Sequence, residues 1–158
     1  MRFLIVGGNA AGMSAAAHMK RKMPKSDVTV LEKSFEVSYG ACGLPYYIAG
    51  LNDDLGLVRI RSVDEFEKAG VHVRLGHAVE RVDYTKKLVF GTKADGSAFE
   101  TPYDRLLIAS GASPRVPNLS GAKLRNVFTL KTPEDAQALR AAIEKSRGNV
   151  TIIGGGAI

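Results

Sequence analysis

Six residues near the N-terminus, Gly7-Gly8-Asn9-Ala10-Ala11-Gly12, have the types and spacing of a loop that cradles a pyrophosphate. Such a loop needs a tight turn after a strand, a place where backbone can approach the phosphates, and a small residue where the next helix packs on that strand. Gly7 and Gly12 suit the first and third needs. Asn9 stands where a middle glycine would be. Asparagine tolerates positive φ better than most residues, so the turn is expected to survive there, at some cost to direct phosphate approach. A helix following the loop would aim its N-terminal amides at the phosphates. Glu32 comes twenty residues after Gly12. An acid at that spacing accepts hydrogen bonds from an adenosine ribose and disfavours a 2′-phosphate. Glycines alone could be an ordinary turn, and Glu32 a surface acid. Strand, helix, second strand and acid in register point instead to a dinucleotide.

The other candidate chemistry is a thiol. Cys42 is the one cysteine of the chain and lies in Ser38-Tyr39-Gly40-Ala41-Cys42-Gly43-Leu44-Pro45-Tyr46-Tyr47. A thiol is reactive when its thiolate is favoured, as at a helix N-terminus. The flanking glycines leave room for a flat ring or a substrate sulfur. A buried structural cysteine is the competing reading, and spacing alone leaves both open. A lone cysteine also excludes an internal disulfide and reads as a reducing, cytoplasmic setting.

The elements that must position these residues can be read from the apolar runs. Arg2 to Val6 is a strand, Ala11 to Met23 a helix with basic residues in its last turn before Pro24, and Val28 to Leu31 a second strand. That is a βαβ unit, which requires a parallel sheet. Ser62 to Ala69 reads as a capped helix stopped by Gly70. From Val71 to Glu100 the pattern is β throughout, as an antiparallel ribbon inserted beside the parallel sheet. Leu106-Leu107-Ile108 is another buried strand. Thr132-Pro133-Glu134-Asp135 opens a helix running to about Arg147, and Val150 to Ile153 is a final strand before more glycines. The fold class is therefore α/β: a Rossmann-like domain with helices on both faces of its sheet plus an inserted ribbon, and incomplete.

The 158 residues carry a net charge of +6 with a pI near 9.5. The basic residues are scattered and no nucleic-acid motif accompanies them, so no nucleic-acid partner is expected. No run approaches the ~20 apolar residues of a membrane span, and the N-terminal strand is not a signal peptide. Ile5-Val6-Gly7-Gly8 is echoed by Ile152-Ile153-Gly154-Gly155-Gly156 at the far end. The second unit stops before its helix, so the chain is expected to be a piece of a longer protein.

Several ordered motifs resemble the single-cysteine branch of the FAD- and NAD-linked disulfide reductases, which includes coenzyme A-disulfide reductases, NADH oxidases and peroxidases, and polysulfide reductases. I-V-G-G-N-A-A-G-M-S-A-A resembles the family's FAD loop, S-Y-G-A-C-G-L-P-Y-Y its redox segment, and Y-D-R-L-L-I-A-S-G-A-S-P its second flavin motif. F-T-L-K-T-P-E-D-A resembles the run into the NADH domain, and V-T-I-I-G-G-G-A-I the start of the NADH loop. The two-cysteine branch does not fit, because Cys42 stands alone. The resemblance implies an FAD site of Gly7, Gly8, Asn9, Ala10, Ala11, Gly12, Glu32 and Lys33, with Val79 meeting the adenine and Ser110 and Gly111 lining the flavin. Lys131 replaces the family's usual arginine, keeping the charge but losing the planar fork. Gly154 and Gly156 would belong to the NADH or NADPH loop.

By the same resemblance Cys42 is catalytic, and Ser14, His18, Arg21 and Ser38 match positions that hold coenzyme A. His18 replaces an amide, and Ala41 stands where asparagine is common. Leu44-Pro45-Tyr46 leans toward coenzyme A disulfide or polysulfide as acceptor. A Cys42 sulfenic acid serving an oxidase or peroxidase is the alternative, and a non-catalytic nucleotide-binding fragment is the alternative of another class. The resemblance places the first segment of the FAD-binding domain in residues 1–115, and a connector with the start of an NADH-binding domain in 116–158. It also implies a homodimer for the whole protein and no NADH turnover by this chain alone.

Overall fold

The computed structural model describes residues 1–154. In chain order its elements are β1 (Arg2–Val6), α1 (Ala10–Lys22), β2 (Asp27–Leu31), α2 (Leu44–Ile48), α3 (Val63–Lys68), β3 (Val71–Arg74), β4 (His77–Asp83), β5 (Leu88–Lys93), β6 (Ala98–Pro102), β7 (Arg105–Ile108) and α4 (Pro133–Lys145). They fall into two compact units. Met1–Gly40 with Leu57–Ala112 forms one, and Ala41–Gly56 with the chain from Ser113 onward forms the other.

The first unit holds a four-stranded parallel sheet in the order β3-β2-β1-β7 and a three-stranded antiparallel sheet, β4-β5-β6. β1 and β2 run parallel in register from Arg2↔Asp27 to Val6↔Leu31. The crossover between them is α1, which opens at Ala10, one residue earlier than expected, and stops at Lys22 ahead of Pro24. Adjacent side chains of a strand point to opposite faces, so Leu4 and Ile5 report on both sides of the sheet. Each is 2% exposed. Ile5 packs with Met13 and Ala16 of α1, Phe66 of α3, and Val28, Val30 and Val71 of the neighbouring strands. Leu4 packs with Leu31, Val89 and Tyr103, so the other face is covered by the antiparallel sheet and not by the helix expected on that side. Burial on both faces makes β1 and β2 continuous apolar runs, whereas β7, expected to be buried, leaves Leu107 40% and Ile108 54% exposed, because it is the edge strand of the sheet.

One expectation is corrected here. Val71–Arg74 does not belong to the antiparallel ribbon; it pairs parallel with β2, from Val28↔Val71 to Leu31↔Arg74. The cause is the helix before it. Ser62 caps α3 in a reciprocal capping box with Glu65, and α3 then serves as a second crossover that returns the chain beside β2. Val71 is wholly buried there.

In the second unit a 3₁₀ turn at Ala41–Gly43 leads into α2, which packs on α4. Thr132 caps α4 in a capping box with Asp135, and Pro133 stands at the first turn. The strand expected at Val150–Ile153 is absent: these residues are irregular, with Ile152 82% and Ile153 75% exposed. A strand needs a neighbour for its backbone groups, and among the described residues none pairs with it. No helix among the described residues is long and apolar enough to cross a membrane.

Candidate functional site

Parallel strands place all their carboxyl ends on one edge, and a ligand crevice of an open α/β sheet lies at that edge. Here the edge carries Gly7 after β1, Glu32 after β2 and Ala109-Ser110-Gly111 after β7. Gly7 has φ +111° and donates its amide to the Leu31 carbonyl at 2.9 Å. A Cβ on Gly7 would fall on the Ala109 carbonyl oxygen, and one on Gly12 would fall on the Gly7 carbonyl oxygen. A Cβ on Gly8 would lie 2.8 Å from Val37 Cγ1. The loop can close this tightly only with glycine at these places.

Asn9 departs from its expected part. Its φ is −104°, so no left-handed turn is made there; Gly7 alone bends the loop that way. Asn9 precedes α1 but makes no side-chain cap, because its Oδ1 accepts from the Tyr39 amide at 3.2 Å. The first turn of α1 also contains no acid. Ala10 and Ala11 are exposed there. Unclaimed amides at a helix start are suited to an anion.

Glu32 is bound into the loop from below. Its Oε2 accepts from the Gly8 amide at 2.6 Å, and its Oε1 accepts from the Ser34 amide and hydroxyl, each at 2.8 Å. A carboxylate has about four acceptor positions, so one remains for a further hydroxyl. Ser34 is a residue that sequence reasoning overlooked; its signal is a hydroxyl two places after the acid, the spacing of a local side-chain turn. Lys33 between them is exposed. Ser38 has φ +51° and is 8% exposed; its amide donates to the Gly8 carbonyl and its carbonyl accepts from Ile60. The chain leaving the acid thus returns to brace the glycine loop twice, through Ser38 and through Tyr39.

Ser110 and Gly111 are exposed beyond β7, with Gly111 at φ +68°. Val79 is half-buried in β4, opposite Gly91 and at a bulge. Ser14, His18 and Arg21 are all exposed on α1 at spacings of four and three, which puts them on one face. Ser38 differs from these three in being buried. In the second unit Cys42 is an exposed free thiol in the 3₁₀ turn before α2. Lys131 is exposed just ahead of α4, its amide donating to Asp135 at 2.9 Å. Gly154 is exposed with φ +99°; Gly156 lies outside the described residues. Among the described residues no three His, Cys, Asp or Glu side chains group as a metal site.

A glycine turn, an uncapped helix start and an acid after the second strand define a Rossmann-like domain of the dinucleotide-binding class. Comparison with known proteins narrows this: the chain belongs to the pyridine nucleotide-disulphide oxidoreductase family, whose sequence model matches residues 1–158. It is 40% identical over 158 residues to an NAD(P)H coenzyme A polysulfide/persulfide reductase of Pyrococcus horikoshii, covering 99% of this chain and 35% of that protein. An NADH oxidase of Methanocaldococcus jannaschii is 29% identical over 160 residues, covering all of this chain and 36% of its own length. The solved structure of an NAD-dependent persulfide reductase from A. fulgidus superposes with a TM-score of 0.87 at 35% identity, over 92% of this chain and 27% of that one. The chain therefore spans about a third of the length of the curated relatives it matches.

Proposed function

We propose that this chain is the first part of an FAD-dependent NAD(P)H:disulfide oxidoreductase that acts on coenzyme A disulfide or polysulfide through Cys42. The observation that carries the reading is the exposure of Cys42, which favours a reactive thiol over a buried structural one. The residues fit the cofactor. Gly7, Gly8 and Gly12 make a cradle that any Cβ would fill, the start of α1 offers amides to a pyrophosphate, and Glu32 keeps an acceptor for a ribose. Bound FAD would supply two-electron transfer between the nicotinamide and sulfur.

The protein's own part is to hold the loop and present the thiol. Cys42 Sγ, as thiolate, attacks one sulfur of the disulfide; the S–S bond breaks, one thiolate leaves, and a mixed disulfide forms on Cys42. Two electrons from NAD(P)H cleave that bond, releasing the second thiol and restoring Cys42. One NAD(P)H and one proton are consumed for two thiols formed. Ser14, His18 and Arg21 offer one polar, basic helix face for the coenzyme, and Ser38 would add a hydroxyl from the loop that follows β2. Residues 1–115 would be the first segment of the FAD domain and 116–158 the connector and start of an NADH domain, with Lys131 at its approach. A homodimer in the cytoplasm, without nucleic-acid partners, completes the proposal.

The test is NADH turnover by the full-length protein with coenzyme A disulfide, polysulfide, oxygen and peroxide in parallel. Disulfide or polysulfide is expected to be fastest, and Cys42→Ser is expected to lower that rate by ~10³-fold or more, the usual cost of losing a nucleophile. A Cys42→Ser enzyme at full rate would refute the reading. Oxygen or peroxide as the fastest acceptor would favour the oxidase chemistry that the Methanocaldococcus relative's name describes.

A further inference from the structure

Arg140 of α4 makes contacts that an ordinary surface arginine does not. Its side chain is 19% exposed. Nη1 donates to the carbonyls of Tyr47 at 3.1 Å and Asn52 at 3.2 Å, and Nη2 donates to Asp53 Oδ1. Nε donates to Glu144 Oε1 at 2.8 Å, and the guanidinium stands over the Tyr47 ring, 4.7 Å from its centroid. Glu144 and, after it, Asp53 hold the guanidinium more firmly protonated than usual. A solvated arginine at this place would need only Glu144, four residues on. Three of these partners instead belong to the segment that carries Cys42, 87 to 93 residues earlier in the chain.

Within that segment the carboxyl end of α2 is closed by short-range backbone hydrogen bonds, from the Ala49, Gly50 and Leu51 amides to the carbonyls of Pro45, Tyr47 and Tyr46. α2 is five residues long and Gly43 before it makes no side-chain cap. Helices this short are marginal unless something outside them fixes their ends. The guanidinium does so at the carboxyl end of α2, where a cation also complements the helix dipole. Cys42 lies two residues before the other end of the same helix.

We infer that Arg140 is a positioning residue for the redox thiol: its fork clamps the end of α2 and the turn after it to α4, and so sets where Cys42 is held. This rests on Cys42 being the redox thiol, as proposed above. The clamp also ties the redox segment to the helix that follows the connector, so the two move as one body.

The test uses the full-length holoenzyme with Arg140→Met, Arg140→Lys and, as reference, Cys42→Ser. Three readouts are compared: hydrogen exchange of the Ala49 and Gly50 amides, turnover with coenzyme A disulfide, and turnover with ferricyanide, an acceptor that can take electrons without a thiol. Arg140→Met is expected to speed that exchange at least tenfold and to lower kcat with the disulfide by about tenfold, since misplacing a reacting group by about an ångström has costs of this order or larger. Ferricyanide turnover and bound flavin should stay within about twofold of wild type. Arg140→Lys keeps the charge without the fork and should fall between the two. Should Arg140→Met not fold, Arg140→Lys decides alone. Wild-type exchange and disulfide turnover in the deciding variant would overturn the inference. Equal losses with both acceptors would overturn it too, by showing a general structural role. A Cys42→Ser enzyme that still reduces the disulfide would remove the reading beneath the inference, and the exchange readout would stand apart from that failure.

Discussion

Ile5-Val6-Gly7 and Ile152-Ile153-Gly154 are nearly the same words in two places, and the structure treats them differently. The glycine behaves alike in both, turning at φ +111° in one and +99° in the other. The strand does not. Ile5 is 2% exposed between β2 and β7, whereas Ile152 is 82% exposed with no strand beside it among the described residues. The backbone turn is a local choice that glycine makes by lacking a Cβ. The strand is a collective property, present only where neighbours take up its backbone groups and its side chains.

Two pairs of variants and one single variant of the 158-residue chain would break or sharpen that contrast. Gly7→Ala combines positive φ with a Cβ on the Ala109 carbonyl, and should cost about 4 kcal/mol or more in urea unfolding. Gly154→Ala meets nothing within 4 Å and should cost no more than the conformational penalty of about 1–2 kcal/mol. Equal losses would mean that the two loops are packed alike. Next in size, Ile5→Ala should lose about 2–5 kcal/mol by leaving a cavity, while Ile152→Ala should stay within about 0.5 kcal/mol. A large loss at Ile152 would show that its side chain is buried after all.

The smallest effect concerns how β1 is tied to β7. Asp104 accepts from the Arg2 amide at 2.7 Å and from its guanidinium at 3.0 Å. The amide bond first, and then the side-chain bond, hold its carboxyl below the usual carboxylate range. A group lowered in this way stabilises the folded state above its unfolded value, and that stabilisation is lost as the pH falls through the folded value. Asp104→Asn should therefore unfold less steeply with acid than the wild type, with the two profiles converging at the acid end. Both residues are well exposed, so the difference should be small and should shrink in salt. An unchanged acid profile would show that the pair contributes nothing to holding the strands.

Much of this architecture was legible because its causes are local. The βαβ unit follows from two apolar runs with an alanine-rich helix between them. Both helix starts, at Ser62 and Thr132, could be read from a capping hydroxyl, and the structure adds that each is a reciprocal capping box, with Glu65 and with Asp135. Gly7 and Gly12 likewise stand where loop sterics require them. What could not be read depends on distant partners. Val71–Arg74 has the same alternation whether it joins a ribbon or a parallel sheet, and only the crossover through α3 decides between them. Asn9 looked like a stand-in for glycine, because nothing nearby in sequence announces the Tyr39 amide. Arg140 drew no notice in the sequence, because its partners Tyr47, Asn52 and Asp53 are 87 to 93 residues away.

The order β3-β2-β1-β7 also has a consequence in time. β1, the first strand of this stretch, is an interior strand, yet its neighbour β7 begins only at Arg105, 103 residues after Arg2. At about 5–20 residues per second, β1 waits roughly 5–20 s with that edge unpaired. Its apolar face and bare amides are open to other nascent chains throughout that interval. Slowing the translation of residues 30 to 100 is therefore expected to prolong the period in which that edge is open to aggregation.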